Sequence, residues 1–492
     1  MKINFYQNDD WCYYLTVESF LKGIFILHPY IGPTFYMQGL MGMLFSNLFG
    51  ISHLPVLTLF VACASLYVFT LIIKEFFRVS LISTTLIGLI YLLNPLGVYE
   101  FWSFMSNHYF GLFMLIAFYF FLKYEQTSNK INLIMYLVFN VLSLLVRQTA
   151  LVLPLSGLIY YLLKKNIKMS LFNFGCFITL YILYSKVIPL TPRILESPLR
   201  PEFMLRNDYV FALIYGTLIM LVSFTLPLVL NTLNIPVLIR SKSKLFLSAG
   251  IALLVFVVLT NVHKPMSIAN GEFPYFENIF ERTGFYPAGI QGTKYHFSGN
   301  FVVWKYWDLI SRVGVAALFT YLLFNIRRKP NIYLIFICVY LAVMLVTQKY
   351  YDRYIFTVVP IFIFYLLSIK NTFSKLMQLL MAAFCIFLGF LVYTYSADFV
   401  YVNQYVWNKS QEVVTTRSVS PEFIAGTNAW KLTYKNIKRN YVYYFSYDSP
   451  EVNSDYKENF NLVDTYVPKY PLNIFVNPKI YLYEKKLLNN IN

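Results

Sequence analysis

Runs of apolar residues close to the length that crosses a bilayer, about 20 residues of helix, recur along most of this chain and leave few choices for its fold. The stretch 54–73, LPVLTLFVACASLYVFTLII, carries no charge at all. In hydrocarbon every backbone N–H and C=O must be satisfied within the segment, so such runs are read as helices. The same length rule predicts about twelve spans, at 54–73, 81–99, 109–124, 132–146, 149–163, 169–190, 209–230, 244–262, 308–325, 331–347, 355–370 and 375–395. Charged residues make up 13% of the 492 residues, against about 25% in an ordinary soluble domain, which excludes a water-soluble globule.

The formal charge is +17, yet Lys and Arg stand scattered between the apolar runs, with no basic stripe to follow a nucleic-acid backbone. They orient the chain instead, because Lys and Arg are retained on the cytoplasmic side of a membrane. One set of alternate loops holds Lys74/Arg78, Lys123/Lys130, Lys164/Lys165/Lys168, Arg240/Lys242/Lys244, Arg327/Arg328/Lys329 and Lys370/Lys375. The other set holds the long loops, most of the acids and His28, His108, His263 and His296, and is predicted to face outwards.

The expected architecture is an all-α polytopic membrane domain with a small C-terminal α/β extracytoplasmic domain. Residues 1–53 form the first extracytoplasmic loop with amphipathic helices, 54–395 the multi-span domain, with a long outer loop at 263–307, and 396–492 the outer domain. In the last part, strand-like runs at 441–445, 474–476 and 480–483 alternate with Asn, Asp, Pro and Lys turns. Residues 1–11, MKINFYQNDDW, lack the apolar core of a cleavable signal, so the first membrane helix is expected to drive insertion. The five cysteines occur singly and without metal-ligand spacing, and no motif implies a metal or cofactor.

The residues able to carry chemistry collect on the predicted outer side. Asp9 and Asp10 precede an amphipathic stretch, 11–23, in which Trp11, Leu15, Phe20 and Leu21 are expected to bury. Adjacent acids point in different directions, so only one can face a given pocket; the pair is a helix cap or a solvated pair, or one of them is a general base. Arg147 and Gln148 stand at the outer end of a span, and Lys349, Asp352, Arg353 and Tyr354 stand at the outer start of another. An arginine at such a place either snorkels to the interface or offers its planar fork to a phosphate. Asn107 and His108 precede the span at 109–124, and His263 opens the long loop; each is an interface cap or a substrate ligand.

Taken in order, the segments NDDWCYYLTVESFLKG, YIGPTFYMQGLMGMLFSNLFG, NPLGVYEFWSFMSN, LLVRQTALVLPL, YYDRYIFTVVPIF and VWNKSQEVVTTRSVSPEFIAGTNAW resemble the GT-C superfamily of membrane glycosyltransferases. The similarity is to the dolichyl-phosphate-mannose protein mannosyltransferase and lipid A aminoarabinose transferase type and their bacterial relatives. RQT before an apolar helix also resembles the glucosyltransferase that completes the eukaryotic lipid-linked oligosaccharide. The resemblance implies a multi-pass enzyme of a bacterial plasma membrane, with a polyprenyl-phosphate sugar as donor and a glycan, lipid or protein as acceptor. It implies Asp9 as base with Asp10 beside it, Arg147, Arg353 and Lys349 at the donor phosphate, and Asn107, His108, Gln148, His263, Asp352 and Tyr354 as substrate residues. Two features depart from it: relatives usually carry a membrane helix ahead of the acidic loop, and they tend to have an aspartate where this chain has Asn107. Two other readings remain open, a lipid-glycan transporter or flippase and a polysaccharide polymerase or ligase. Transporters place polar groups near the bilayer midplane, whereas the spans here are nearly free of charge apart from Arg312.

Overall fold

The computed structural model describes residues 10–31, 34–187, 201–232, 250–254, 256–257, 309–310, 312–316, 318–319, 330–347, 352–426, 430, 441–446, 458–471 and 479–486. Asp9, Lys349, His263 and the loop 263–307 lie outside the described residues, as does the strand-like run 474–476. The described chain is mostly helical, with one small sheet near its C-terminal end.

Helices α1 (Asp10–Leu21), α2 (Tyr36–Phe49), α3 (Leu54–Phe77), α4 (Leu81–Leu92), α5 (Pro95–Val98), α6 (Asn107–Thr127) and α7 (Lys130–Leu144) make the first half. They are followed by α8 (Val152–Leu163), α9 (Ile167–Ile182), α10 (Asn207–Thr232), α11 (Ile332–Thr347), α12 (Val359–Ile369) and α13 (Lys375–Arg417). Three stretches are long and apolar enough to cross a membrane: Ile51–Phe77, Ile167–Lys186 and Lys375–Thr394. A fourth is made if the bent pair Leu81–Leu92 and Pro95–Trp102 counts as one. The described residues show fewer full-length spans than the twelve expected; the predicted spans 244–262 and 308–325 lie partly outside the described residues, and local chemistry shortens others. Pro95 cannot continue α4, and the chain bends by 51° there while the Asn94 side chain accepts the Leu96 N–H at 3.1 Å. Predicted spans 149–163 and 355–370 each open with a 3-10 turn, Gln148–Leu151 and Asp352–Thr357, which shortens the α-helix behind it. Such short apolar helices are stable where neighbouring helices cover their ends.

The helices run back and forth between two chemically different ends. At one end, α4, α7, α9 and α13 each start on a side-chain cap, from Ser80, Asn129, Asn166 and Ser374 respectively. The links before α4, α7 and α9 turn sharply through Arg78, Ser128 and Lys165, all at positive φ. This end carries the basic loops, tied by Lys164 to Glu125 at 2.7 Å and by Lys123 to Glu75. At the other end α3, α8 and α12 are entered through 3-10 turns without side-chain caps. Between the ends, large apolar side chains such as Tyr67 and Leu379, each 68% exposed, face outward from helices of membrane-crossing length, which suits a lipid surroundings and not water.

Helix α13 has 43 residues, about 65 Å of helix, roughly twice the hydrocarbon thickness, and passes the expected 395/396 boundary without a break. No Gly or Pro stands between Gly389 and Pro421 to stop it. The sheet packs on its far half, in the order β1 (Ile424–Ala425), β2 (Tyr443–Ser446), β4 (Ile480–Lys485), β3 (Phe460–Tyr466). β1 pairs parallel to β2, and the remaining pairs are antiparallel, with an irregularity between Leu462 and Asp464. Tyr405 of α13 stacks on Tyr466 at 4.3 Å and donates to Asp464, and Arg417 pairs with Glu484 at 2.9 Å. Strands β2 and β4 coincide with two of the predicted strand-like runs.

Candidate functional site

The end opposite the basic loops is organised around the loop 99–106, between α5 and α6. Its backbone carbonyls are held by Gln38, which donates to Phe104 at 2.8 Å, and Thr58, which donates to Ser103 at 2.8 Å. Close packing of α2 beneath it depends on Gly42, where a Cβ would stand 2.7 Å from the Phe104 ring and 2.9 Å from Val17. A similar contact sets the 3-10 turn Asp352–Thr357 against α5, since a Cβ on Gly97 would meet the Phe356 ring at 2.5 Å.

Asp10 opens α1, where an acid is favoured by the helix dipole, and is only 2% exposed. Its Oδ2 accepts the Phe104 N–H at 3.4 Å, which ties the first loop to the 99–106 loop. Of the apolar residues expected to bury behind it, Trp11 and Phe20 do so, while Leu15 and Leu21 are 42% and 39% exposed. The buried face of α1 is instead Cys12, Thr16, Val17 and Phe20, which is the 3.6-residue stripe turned toward α2. Beside Asp10, Trp11, His28 and Tyr30 form an aromatic group, with Trp11 edge-on to His28 at 5.0 Å. Burial lowers the His28 pKa, which favours the neutral imidazole, and the Tyr30 N–H lies 3.3 Å from Nδ1.

The centre of the polar cluster is a residue that the sequence reading passed over, Glu100, which is 1% exposed. Its Oε2 accepts the Asn107 N–H at 3.0 Å, so the carboxylate caps the start of α6, and its Oε1 accepts from Asn107 Nδ2. Asn107 Oδ1 in turn accepts from Arg147 Nη1. Only this orientation of the amide satisfies both neighbours, because a carboxylate takes N–H groups and a guanidinium has nothing but donors. An aspartate at 107 would set a second carboxylate against Glu100, which gives the asparagine at this position a local cause. Arg353, 5% exposed, and Arg147 both act on the Glu100 carboxylate electrostatically, Arg353 the more strongly. The two guanidinium carbons lie 4.4 Å (Arg147) and 5.6 Å (Arg353) from the centroid of the Tyr354 ring, hence within about 10 Å of each other. Tyr354 is itself pinned by Tyr340, whose hydroxyl donates to the Tyr354 carbonyl at 2.9 Å.

The structure thus brings Asp10, Asn107, Arg147, Arg353 and Tyr354 to one end of the bundle, although they come from four separate stretches of sequence. His108 lies beside the cluster in an apolar setting, stacked on Phe101 at 4.8 Å and edge-on to Phe356 at 5.2 Å, with Nε2 2.8 Å from the Gly97 carbonyl. Gln148 starts the 3-10 turn after Arg147 and is half-buried, and Asp352 starts the turn that carries Arg353. Among the described residues no three His, Cys, Asp or Glu side chains are grouped to hold a metal ion. One signal in the sequence pointed to Glu100: an acid inside the apolar run NPLGVYEFW, at membrane depth, is expensive to bury without a function or a partner. Comparison with family models, with curated proteins and with solved structures finds no match to this chain.

Proposed function

We propose that this chain is a membrane glycosyltransferase that moves a sugar from a polyprenyl-phosphate donor to an acceptor hydroxyl on the outer side of the membrane. The observation that carries the reading is the approach of two arginines from distant helix ends to one tyrosine ring, at the end of the bundle away from the basic loops. Two planar forks within about 10 Å of each other suit a phosphate oxygen set, and a site at the rim of the bundle suits a donor whose lipid tail stays in the bilayer. In this reading the bundle is a multi-pass domain of about twelve spans, the shorter apolar helices among them.

The acceptor oxygen attacks the sugar C1 from the face opposite the phosphate. The C1–O bond to phosphate breaks, its electron pair stays on the phosphate oxygen, and the acceptor proton passes to a carboxylate, with inversion at C1. Arg147 and Arg353 stabilise the charge that develops on the phosphate. Asp10 is engaged by the Phe104 N–H, which supports giving the role of base to Asp9. The direct test is transfer from a panel of radiolabelled polyprenyl-phosphate sugars in membranes with and without the chain. Transfer above background from one donor is expected, and no transfer from any would overturn the reading.

The reading also fixes sidedness. Single cysteines at position 9 and within 396–492 should react with an impermeant maleimide from outside intact cells, and cysteines at 164 and 327 only after permeabilisation. A cytoplasmic 396–492 segment would contradict the mechanism.

A further inference from the structure

We infer that Glu100 is a specificity-determining residue that sets the charge of the phosphate site, lowering its affinity for a doubly charged phosphomonoester more than its affinity for a singly charged phosphodiester. The inference rests on the reading of the arginine pair as a phosphate site and goes beyond it. Glu100 is buried, comes from a different helix end than either arginine, and is held in place by two N–H donors from one residue, the Asn107 backbone and side chain. Burial disfavours the charged carboxylate, and the guanidinium groups of Arg353 and Arg147 together with the two N–H groups of Asn107 offset that cost. Through Asn107 the carboxylate is linked to Arg147, and its charge acts on Arg353 directly.

A fixed negative charge so close to both guanidinium groups subtracts from the attraction either can offer a ligand. The subtraction scales with ligand charge: a dianion loses twice what a monoanion loses. A sugar donor linked through phosphate to a lipid is a diester with one negative charge, whereas the lipid phosphate left after transfer is a monoester that is largely dianionic above its second pKa of about 6. Glu100 therefore acts against retention of the product while leaving enough positive charge to take the donor. Asn107 is the positioning residue of this device, because it aims the carboxylate and Arg147 at each other without adding charge.

The test uses the purified full-length chain in detergent at pH 8 and two synthetic probes, citronellyl phosphate and its methyl diester, with affinities read by thermophoresis. Glu100→Gln should shift the ratio of affinities toward the monoester by about tenfold or more, the scale expected for one charge at close range in a partly buried site. Asn107→Asp, which adds a negative charge at the same place, should shift the ratio the opposite way, and it keeps the inference testable if Glu100→Gln fails to fold. Binding of both probes with an unchanged ratio in either folded variant would overturn the role of Glu100 and leave the phosphate site standing. Failure of both probes to bind the native chain would overturn the phosphate reading, and this inference with it.

Discussion

Arg353→Gln is expected to lower sugar transfer by about 10²–10³-fold, the loss typical of removing one group that stabilises charge in a transition state. Arg353 is the more buried of the two arginines, and it stands over the Tyr354 ring within electrostatic reach of Glu100. Its removal leaves that carboxylate less compensated, so some of the damage will be structural. Arg353→Lys separates the two contributions, since it keeps the charge and loses the planar fork. If the fork matters, the lysine chain melts close to the native temperature and still transfers at least about tenfold more slowly. A lysine chain of native rate would reduce Arg353 to a structural counter-charge. The readout is initial rate in membranes at saturating donor, with protein level controlled.

Asp9→Asn should depress turnover by about 10²–10⁴-fold, the range for loss of a general base, with little change in donor affinity. The substitution keeps the shape of the side chain and removes its basicity. Asp10→Asn should do less to turnover, because Asp10 is engaged in holding the 99–106 loop through the Phe104 N–H. Its effect should show in stability instead, by about 1–3 kcal/mol for a weakened buried hydrogen bond to a charged group. A near-normal rate for Asp9→Asn would refute the assignment. The converse pattern, with Asp10→Asn losing turnover at native stability, would transfer the role of base to Asp10.

The sequence made the coarse architecture readable because bilayer length and the sidedness of Lys and Arg are properties of segments, not of contacts. The two ends of the bundle came out chemically distinct for that reason: Lys164 and Lys123 stand at one end, and Arg147 and Arg353 at the other. Arg147 and Arg353 stand out in the sequence because each is a charge at the edge of an apolar run, followed by a turn that opens the next helix. Glu100 was hidden by the opposite circumstance. The run NPLGVYEFW reads as the end of a span, and only the break at Asn94 and Pro95 turns Glu100 back toward the start of α6. Its tie to Arg147 depends on tertiary packing, which periodicity does not encode. Leu15 and Leu21 show the same limit on a smaller scale, since an apolar residue in an amphipathic stretch is buried only if the partner helix lies on its side. The long helix α13 crosses position 395 because the polar residues from there to Arg417 include nothing that breaks a helix.

If Arg147 and Arg353 hold one phosphate together, their contributions to donor binding depend on each other. A double-mutant cycle on donor binding tests it most directly, with radiolabelled polyprenyl-phosphate sugar, the purified chain, Arg147→Gln, Arg353→Gln and the double variant. One shared phosphate predicts that each single variant weakens binding and that the two losses are coupled by about 1 kcal/mol or more. Losses that add to within about 0.5 kcal/mol would mean that the two arginines act at separate places, and would contradict the account.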